Sequence, residues 1–243
     1  MGTGEIYDAR RELIDAQSRH FSHPDYALAA AQWAPVSLGK AMPSSVQLVP
    51  QLMPPIQTLR RLSAAKITTP APGIHVVDFS QNTAAIIRMR IPKMGRGTNL
   101  TIRHGELLNH PPYGPDDGRI YTDNLRNALA RDVYISSGAE ADGAEWEPTF
   151  TQHGFRYIEV HGLAAAPSLD DFTALEMHTA VAETGSFTSS SPLLNQIQSN
   201  CQWTARSNLM SIPTDCCQRD ERRGWMGAQD VKCILFFWVC ACR

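Results

Sequence analysis

The 243-residue sequence has little of the features that usually announce a function at once. No apolar run reaches the ~18 residues that a membrane-spanning helix needs. Neither sign of charge dominates: 22 lysines and arginines stand against 24 aspartates and glutamates, interspersed, for a net charge of −2. That balance leaves no basic footprint for nucleic acid and no basic stripe for a membrane surface, so neither is expected as a partner. The first residues, Met1-Gly2-Thr3-Gly4-Glu5, lack the charged and apolar regions of a secretory signal, and no compartment is assigned on that basis. Six cysteines are present, five of them after residue 215, which is not the even spread of a disulfide framework. Cys240-x-Cys242 lacks the paired C-x2-C or histidine spacing of a zinc site, and no metal or other cofactor is expected. Internal repeats and low-complexity tracts are also missing.

What is present divides the chain by its periodicity. Pro35, Pro43, Pro50, Pro54 and Pro55 punctuate a loop-rich first part, residues 1–65. From about residue 73 the pattern becomes β-rich. Ile74–Phe79, Ala85–Ile91, Asn99–His104, Asp132–Ile135, Phe155–Val160 and Phe172–Met177 are β-branched or alternate apolar with polar residues. Turn formers separate them, among them Gly95, Gly97, Pro111, Pro112 and Gly118. Short strands at this spacing predict a mainly β chain, an antiparallel β-sandwich over 66–182 with a long excursion at 109–130. Asp116, Asp117, Asp123 and Asn124 in that excursion lack the spacing of a calcium loop, so it is read as a solvated loop. His104 and His153 fall in strand-like segments and are read as structural histidines. Ser189-Ser190-Ser191-Pro192 is a helix-start signal, and Leu193, Leu194, Ile197, Cys201 and Thr204 then recur at helical spacing to about Asn208.

The densest chemistry lies beyond that helix. Asp215-Cys216-Cys217-Gln218-Arg219-Asp220-Glu221-Arg222-Arg223-Gly224-Trp225 packs three carboxylates, three arginines and a tryptophan into eleven residues. Hydrolysis of a glycoside requires one carboxylic acid to protonate the leaving oxygen and a second carboxylate opposite it. The acid must be kept protonated by burial or by like charges, and an aromatic ring offers a wall for a sugar. The same residues would equally make a buried ion-pair network at the start of a helical domain, and residue chemistry alone leaves both readings open.

This motif closely resembles Asp-Cys-Pro-Gln-Arg-Asp-Glu-Arg-x-Gly-Trp of the bacterial and fungal α-L-rhamnosidases, glycoside hydrolase family 78. Further blocks carry the resemblance across residues 5–230: Tyr7–Glu12, Trp33-Ala34, Pro54-Pro55-Ile56, Val77-Asp78-Phe79-Ser80-Gln81-Asn82, Arg103-His104-Gly105-Glu106, His153–Val160, Ser186-Phe187 and Asn195. It implies an accessory N-terminal domain in part (1–65), a concanavalin-like β-sandwich (66–182) and the first helices of a six-hairpin (α/α)6 barrel (183–230). It also implies inverting hydrolysis of terminal α-L-rhamnose from glycosides or polysaccharides. By position, Glu221 matches the general acid, Asp215 and Arg219 match residues that bind rhamnose hydroxyls, and Trp225 matches a pocket aromatic. Cys217 stands where the family has proline. The aspartate expected after Gly227 is missing from the register, and residues 231–243 form an unmatched tail. The expectation is therefore a fragment without the family's second glutamate, the base, and without activity of its own. The alternative expectation is a non-catalytic carbohydrate-binding β-sandwich.

Overall fold

A computed structural model of the chain describes residues 4–12, 36–219 and 224. The architecture is mainly β with one long helix, as the period of the sequence predicts. Nine strands form one sheet: β1 (Ile6–Asp8), β2 (Ile56–Ser63), β3 (Lys66–Ala71), β4 (Ile74–Arg90), β5 (Asn99–Gly105), β6 (Arg131–Ile135), β7 (Glu145–Trp146), β8 (His153–His161) and β9 (Phe172–Thr179). The hydrogen-bonded path runs β1-β6-β5-β8-β4-β9-β2, with β3 and β7 added on β4. Every pairing is antiparallel except β1 with β6. Helix α1 (Pro192–Ser207) and a small hairpin, β10 (Leu209–Met210) with β11 (Ile212–Pro213), follow the sheet.

The two sequence segments Ile74–Phe79 and Ala85–Ile91 form one strand rather than two. β4 runs 17 residues, interrupted by a register shift between Asp78 and Thr83 where Ser80 takes a positive φ of 61°. The Asp78 carboxylate accepts the Ser80 N–H at 2.6 Å and holds that turn. Before the shift β4 pairs with β3 and β8, and after it with β9 and β7 as well as the start of β8. The sheet thereby curls around one core, in which Phe79, Ile87 and Met89 of β4 meet Leu100, Ile102, Phe155, Ile158 and Phe172. Trp146 closes one edge, its ring 5.5 Å from Tyr134 and 6.1 Å from Tyr7. Burying rings of this size supplies much of the drive to fold.

The serines before α1 work differently from the sequence expectation. Ser191 is the N-cap, but its side chain makes no capping bond. Asn195 does that work from inside the helix: its Oδ1 accepts the Ser189 N–H and its Nδ2 donates to the Ser189 carbonyl, both at 2.8 Å.

The excursion at 109–130 is tied to the sheet rather than freely solvated. Leu108 and Ile120 form a bridge, and Leu125 is buried with Ala128 and Ala130. Arg119 donates to both oxygens of Glu159 on β8, at 2.7 and 3.2 Å, and His161 approaches the same carboxylate at 2.7 Å. Glu159 is 1% exposed. Burial pushes its carboxyl upward, but the Arg119 and His161 bonds and the Ile120 N–H outweigh that, and the group is held below the ordinary glutamate range. A carboxyl lowered in the folded state stabilises the protein above its unfolded pKa and loses that contribution as pH falls through the folded value. Glu159→Gln is expected to cost about 1–3 kcal/mol in urea unfolding at neutral pH, since Arg119 is left partly unpaired but half in water. The acid limb of the stability–pH curve, below the ordinary glutamate value, should become shallower in the variant; an unchanged limb would place the acid sensitivity elsewhere.

Candidate active site

Helix α1 lies against the second half of β4 and against β9, and polar groups fix the contact. The Ser207 hydroxyl accepts the Ala84 N–H at 3.1 Å and sits 3.3 Å from Thr83 Oγ1, beside the β4 register shift. Arg206 pairs with Glu183, and the Arg206 and Arg60 guanidinium groups lie 5.7 and 5.2 Å from the centre of the Trp203 ring. Burial of Glu183 is outweighed first by the Arg206 bond, so this carboxyl is held below its usual range.

Beyond α1 the chain turns back onto the sheet. Thr214 donates its N–H to the Asn208 carbonyl at 2.8 Å and its hydroxyl to the Asn208 side chain at 3.1 Å, and Thr214 bridges to Gly224. Ser211 N–H reaches Thr179 Oγ1 at 2.7 Å. The next segment is pinned to β8, where Gly154 N–H donates to the Cys217 carbonyl at 3.1 Å. A Cβ on Gly154 would stand 2.5 Å from Cys217 Sγ and 3.0 Å from Gln218 N, so glycine is what allows this approach. The residue that departs from the family's proline, Cys217, is thus buried against β8.

These contacts shape an open cavity of about 350 Å³ between the sheet, α1 and the 215–218 segment. Asp215 lines it, together with Gln81, Asn82 and Thr83 from the β4 shift, Glu106 after β5, and Asn200, Trp203 and Ser207 of α1. The volume lies within the range of small-molecule sites. Glu106 is fixed from two sides: Asn82 Nδ2 donates to one oxygen at 2.9 Å and Asn124 Nδ2 to the other at 3.3 Å. Asn82 in turn accepts from Gln81 Nε2 at its carbonyl, 2.8 Å away. Arg219 does not line the cavity but stands next to it, with its guanidinium donating to Cys216 Sγ. Burial pushes the Cys216 thiol up, Arg219 draws it down and Asp215 adds to the rise; the net is upward.

Of the four residues singled out from the sequence, the structure therefore places Asp215 in the cavity and Arg219 beside it. Glu221 and Trp225 lie outside the described residues. Residue chemistry passed over Asn82, Glu106 and Trp203, although Gln81-Asn82 and Glu106 end two of the blocks quoted above. The signal was polar residues interrupting β4 and following β5, which has meaning only once the strands are assembled. A larger hollow of about 490 Å³, lined by residues of 89–95 and 162–167, is mainly aliphatic and holds none of the motif residues.

A second polar cluster lies inside the sheet. Ligand atoms of His104, Asp132 and His153 fall within 4.8 Å of one another, all buried. His153 Nε2 donates to Asp132 at 3.0 and 3.1 Å, and His104 Nδ1 donates to the Ala130 carbonyl at 2.9 Å. The two imidazoles stack 4.1 Å apart, only 20° from parallel. Ring nitrogens bind metals in the ring plane, and planes this close to parallel do not converge on one ion. The cluster is read as hydrogen-bonded core. Burial raises the Asp132 carboxyl, but the His153 bond, both histidines and the Glu5 N–H together hold it below its usual range.

Residues 68–178 match the bacterial alpha-L-rhamnosidase concanavalin-like domain, and residues 182–237 match the six-hairpin glycosidase domain of the same enzymes. The chain belongs to the bacterial α-L-rhamnosidase family. The second match extends past residue 230, into the segment where the motif reading ends. An α-L-rhamnosidase of Streptomyces avermitilis is 40% identical over 226 residues, which are 93% of this chain and 20% of that protein. One from Formosa agariphila is 37% identical over 230 residues, 94% of this chain and 23% of that protein. The structure of the S. avermitilis enzyme complexed with L-rhamnose superposes with a TM-score of 0.80 at 38% identity, over 95% of this chain and 21% of that one. The α-L-rhamnosidase of Dictyoglumus thermophilum gives a TM-score of 0.67 at 44% identity, over 74% of this chain and 19% of that one. The chain thus spans about a fifth of the length of the curated rhamnosidases it matches.

In this rhamnosidase-family chain Gly154 controls how closely the 215–218 segment approaches the sheet. Gly154→Ala is expected to destabilise by about 1–3 kcal/mol, because a backbone nitrogen at 3.0 Å cannot yield as a side chain can. Thermal melts should show a loss of several degrees, at the ~2–4 °C per kcal/mol usual for this size. A melting temperature equal to wild type would mean the 217–218 segment is not packed against β8.

Proposed function

We propose that the chain contributes the rhamnose-binding and acid side of an inverting α-L-rhamnosidase site. The observation that supports this reading is the position of Asp215, in a cavity of sugar-accommodating size with Arg219 beside it, in a chain of this family. In the proposal Asp215 and Arg219 hold rhamnose hydroxyls, Glu221 protonates the glycosidic oxygen, and Trp225 walls the sugar. Inversion needs a second carboxylate about 6.5–9.5 Å from the acid to activate water on the opposite face. No residue of this chain is assigned that role, and the substrate is a terminal α-L-rhamnoside of a glycoside or polysaccharide. We also propose the domain division 1–65, 66–182, 183–230 and 231–243; of its boundaries, the one near residue 182 is supported by the two matched spans, 68–178 and 182–237.

One observation favours a second reading, a carbohydrate-binding sheet without catalysis: Gln81, Asn82 and Glu106 bring polar groups of the sheet itself into the cavity. The two readings differ in what binding depends on. The 243-residue chain alone is expected to bind L-rhamnose, measured by calorimetry or ligand-observed NMR, and to lose about tenfold in affinity on Asp215→Asn or Arg219→Ala, as for removal of a charged hydrogen-bond partner. It is expected not to release p-nitrophenol from p-nitrophenyl α-L-rhamnoside. Full rhamnose affinity in residues 1–182 alone would favour the binding module; turnover by the 243-residue chain would place both carboxylates within it.

A further inference from the structure

The cavity beside Asp215 reaches the sheet, where Gln81, Asn82, Thr83 and Glu106 line it, and the chemistry there is selective. Asp215 and Glu106 bring two carboxylates to its wall, while the remaining polar groups are neutral: amides of Gln81, Asn82, Asn200, Asn208 and Gln218, and hydroxyls. Among the described residues, no lysine or arginine lines it. Carboxylates and primary amides accept from and donate to sugar hydroxyls, often two at a time. A ligand bearing its own carboxylate, sulfate or phosphate on the Glu106 side would meet like charge there, while the Arg219 guanidinium lies at the motif segment, donating to Cys216 Sγ. Glu106 is also held in one orientation, by Asn82 at 2.9 Å and Asn124 at 3.3 Å, the latter from the tethered excursion. A side chain fixed in this way loses little freedom when it binds.

We infer that the Glu106 side of the cavity is a subsite for a second, uncharged sugar, the unit to which rhamnose is attached, and that Glu106 is a positioning residue that selects neutral over acidic sugars there. This rests on the rhamnoside reading above, with Asp215 on the rhamnose side. The sheet domain then reads the identity of the leaving sugar, while the motif segment reads rhamnose. Trp203 supplies the apolar part of the wall next to Asn200 and Thr204.

The test uses the 243-residue chain and three ligands at low ionic strength: L-rhamnose, α-L-rhamnosyl-(1→6)-glucose and α-L-rhamnosyl-(1→4)-glucuronic acid. Wild type should bind the neutral disaccharide more tightly than rhamnose, and the acidic one about threefold to tenfold more weakly than the neutral one, the range for a partly solvated charge pair. Glu106→Gln should narrow the neutral-to-acidic ratio, with Asp215 still in the wall, and change the affinity for the acidic disaccharide more than that for L-rhamnose. Asn200→Asp is the opposing variant. It keeps the acceptor for Gln196 Nε2, now 2.7 Å from Asn200 Oδ1, and adds a charge to the wall, so the ratio should widen. Rhamnose binding with a ratio that neither variant moves would overturn the subsite while leaving the rhamnoside reading standing. Failure of every protein to bind L-rhamnose would overturn both. A Glu106→Gln protein that lost rhamnose and both disaccharides in equal proportion, with an unchanged melting temperature, would assign Glu106 to the rhamnose clamp instead.

Discussion

Arg156 on β8 donates to both oxygens of Asp78, at 2.8 and 2.9 Å, while one of those oxygens also takes the Ser80 N–H. The Arg156 bonds outweigh burial and hold the Asp78 carboxyl below its usual range, so it is charged wherever the protein is folded near neutral pH. That arrangement fixes the point at which β4 leaves one pairing and enters another. A strand of 17 residues without such a break would run flat across its neighbours. With it, the sheet curls around the core of Phe79, Phe155 and Phe172, and Gln81-Asn82-Thr83 project at the shift as the edge of a cavity. Every later step depends on that edge: Ser207 grips Ala84 and Thr83, α1 lies down, and the motif segment returns to Gly154.

The cavity is a junction between layers of different origin. Its floor belongs to the sheet, one wall to α1, and its rim to the segment from Asp215 to Gln218. None of the three makes a pocket alone. A helix with Leu193, Leu194 and Ile197 still exposed draws only part of its stability from the sheet, since it buries little beyond its last turn. Its polar grips at Ser207 and Arg206 therefore matter more than its apolar stripe. The segment from Asp215 to Gln218 follows directly on those grips.

Strand segments were legible because alternation and β-branching survive without tertiary help, as in Asn99–Gly105 and Phe172–Thr179. The helix was legible from Pro192 and its period, and the charge density after Thr214 singled out Asp215, which lines the cavity. The fusion of two segments into β4 was not legible, since a polar stretch such as Ser80-Gln81-Asn82 reads as a turn. Nor was the tether of the 109–130 excursion, which rests on Arg119 meeting a glutamate 40 residues away. His104 and His153 read as structural from strand context, but their shared partner Asp132 emerged only from the β5–β6–β8 pairing.

Local periodicity and a dense motif were enough to read the family and the mainly β character from the residue order, and they suggested the residues proposed to meet rhamnose. That Glu106 and Asn82 share a cavity with Asp215, more than a hundred residues on, is a product of the folded arrangement. Such a meeting depends on strand register and on a glycine that lets two backbones touch, and neither leaves a local mark in the chain.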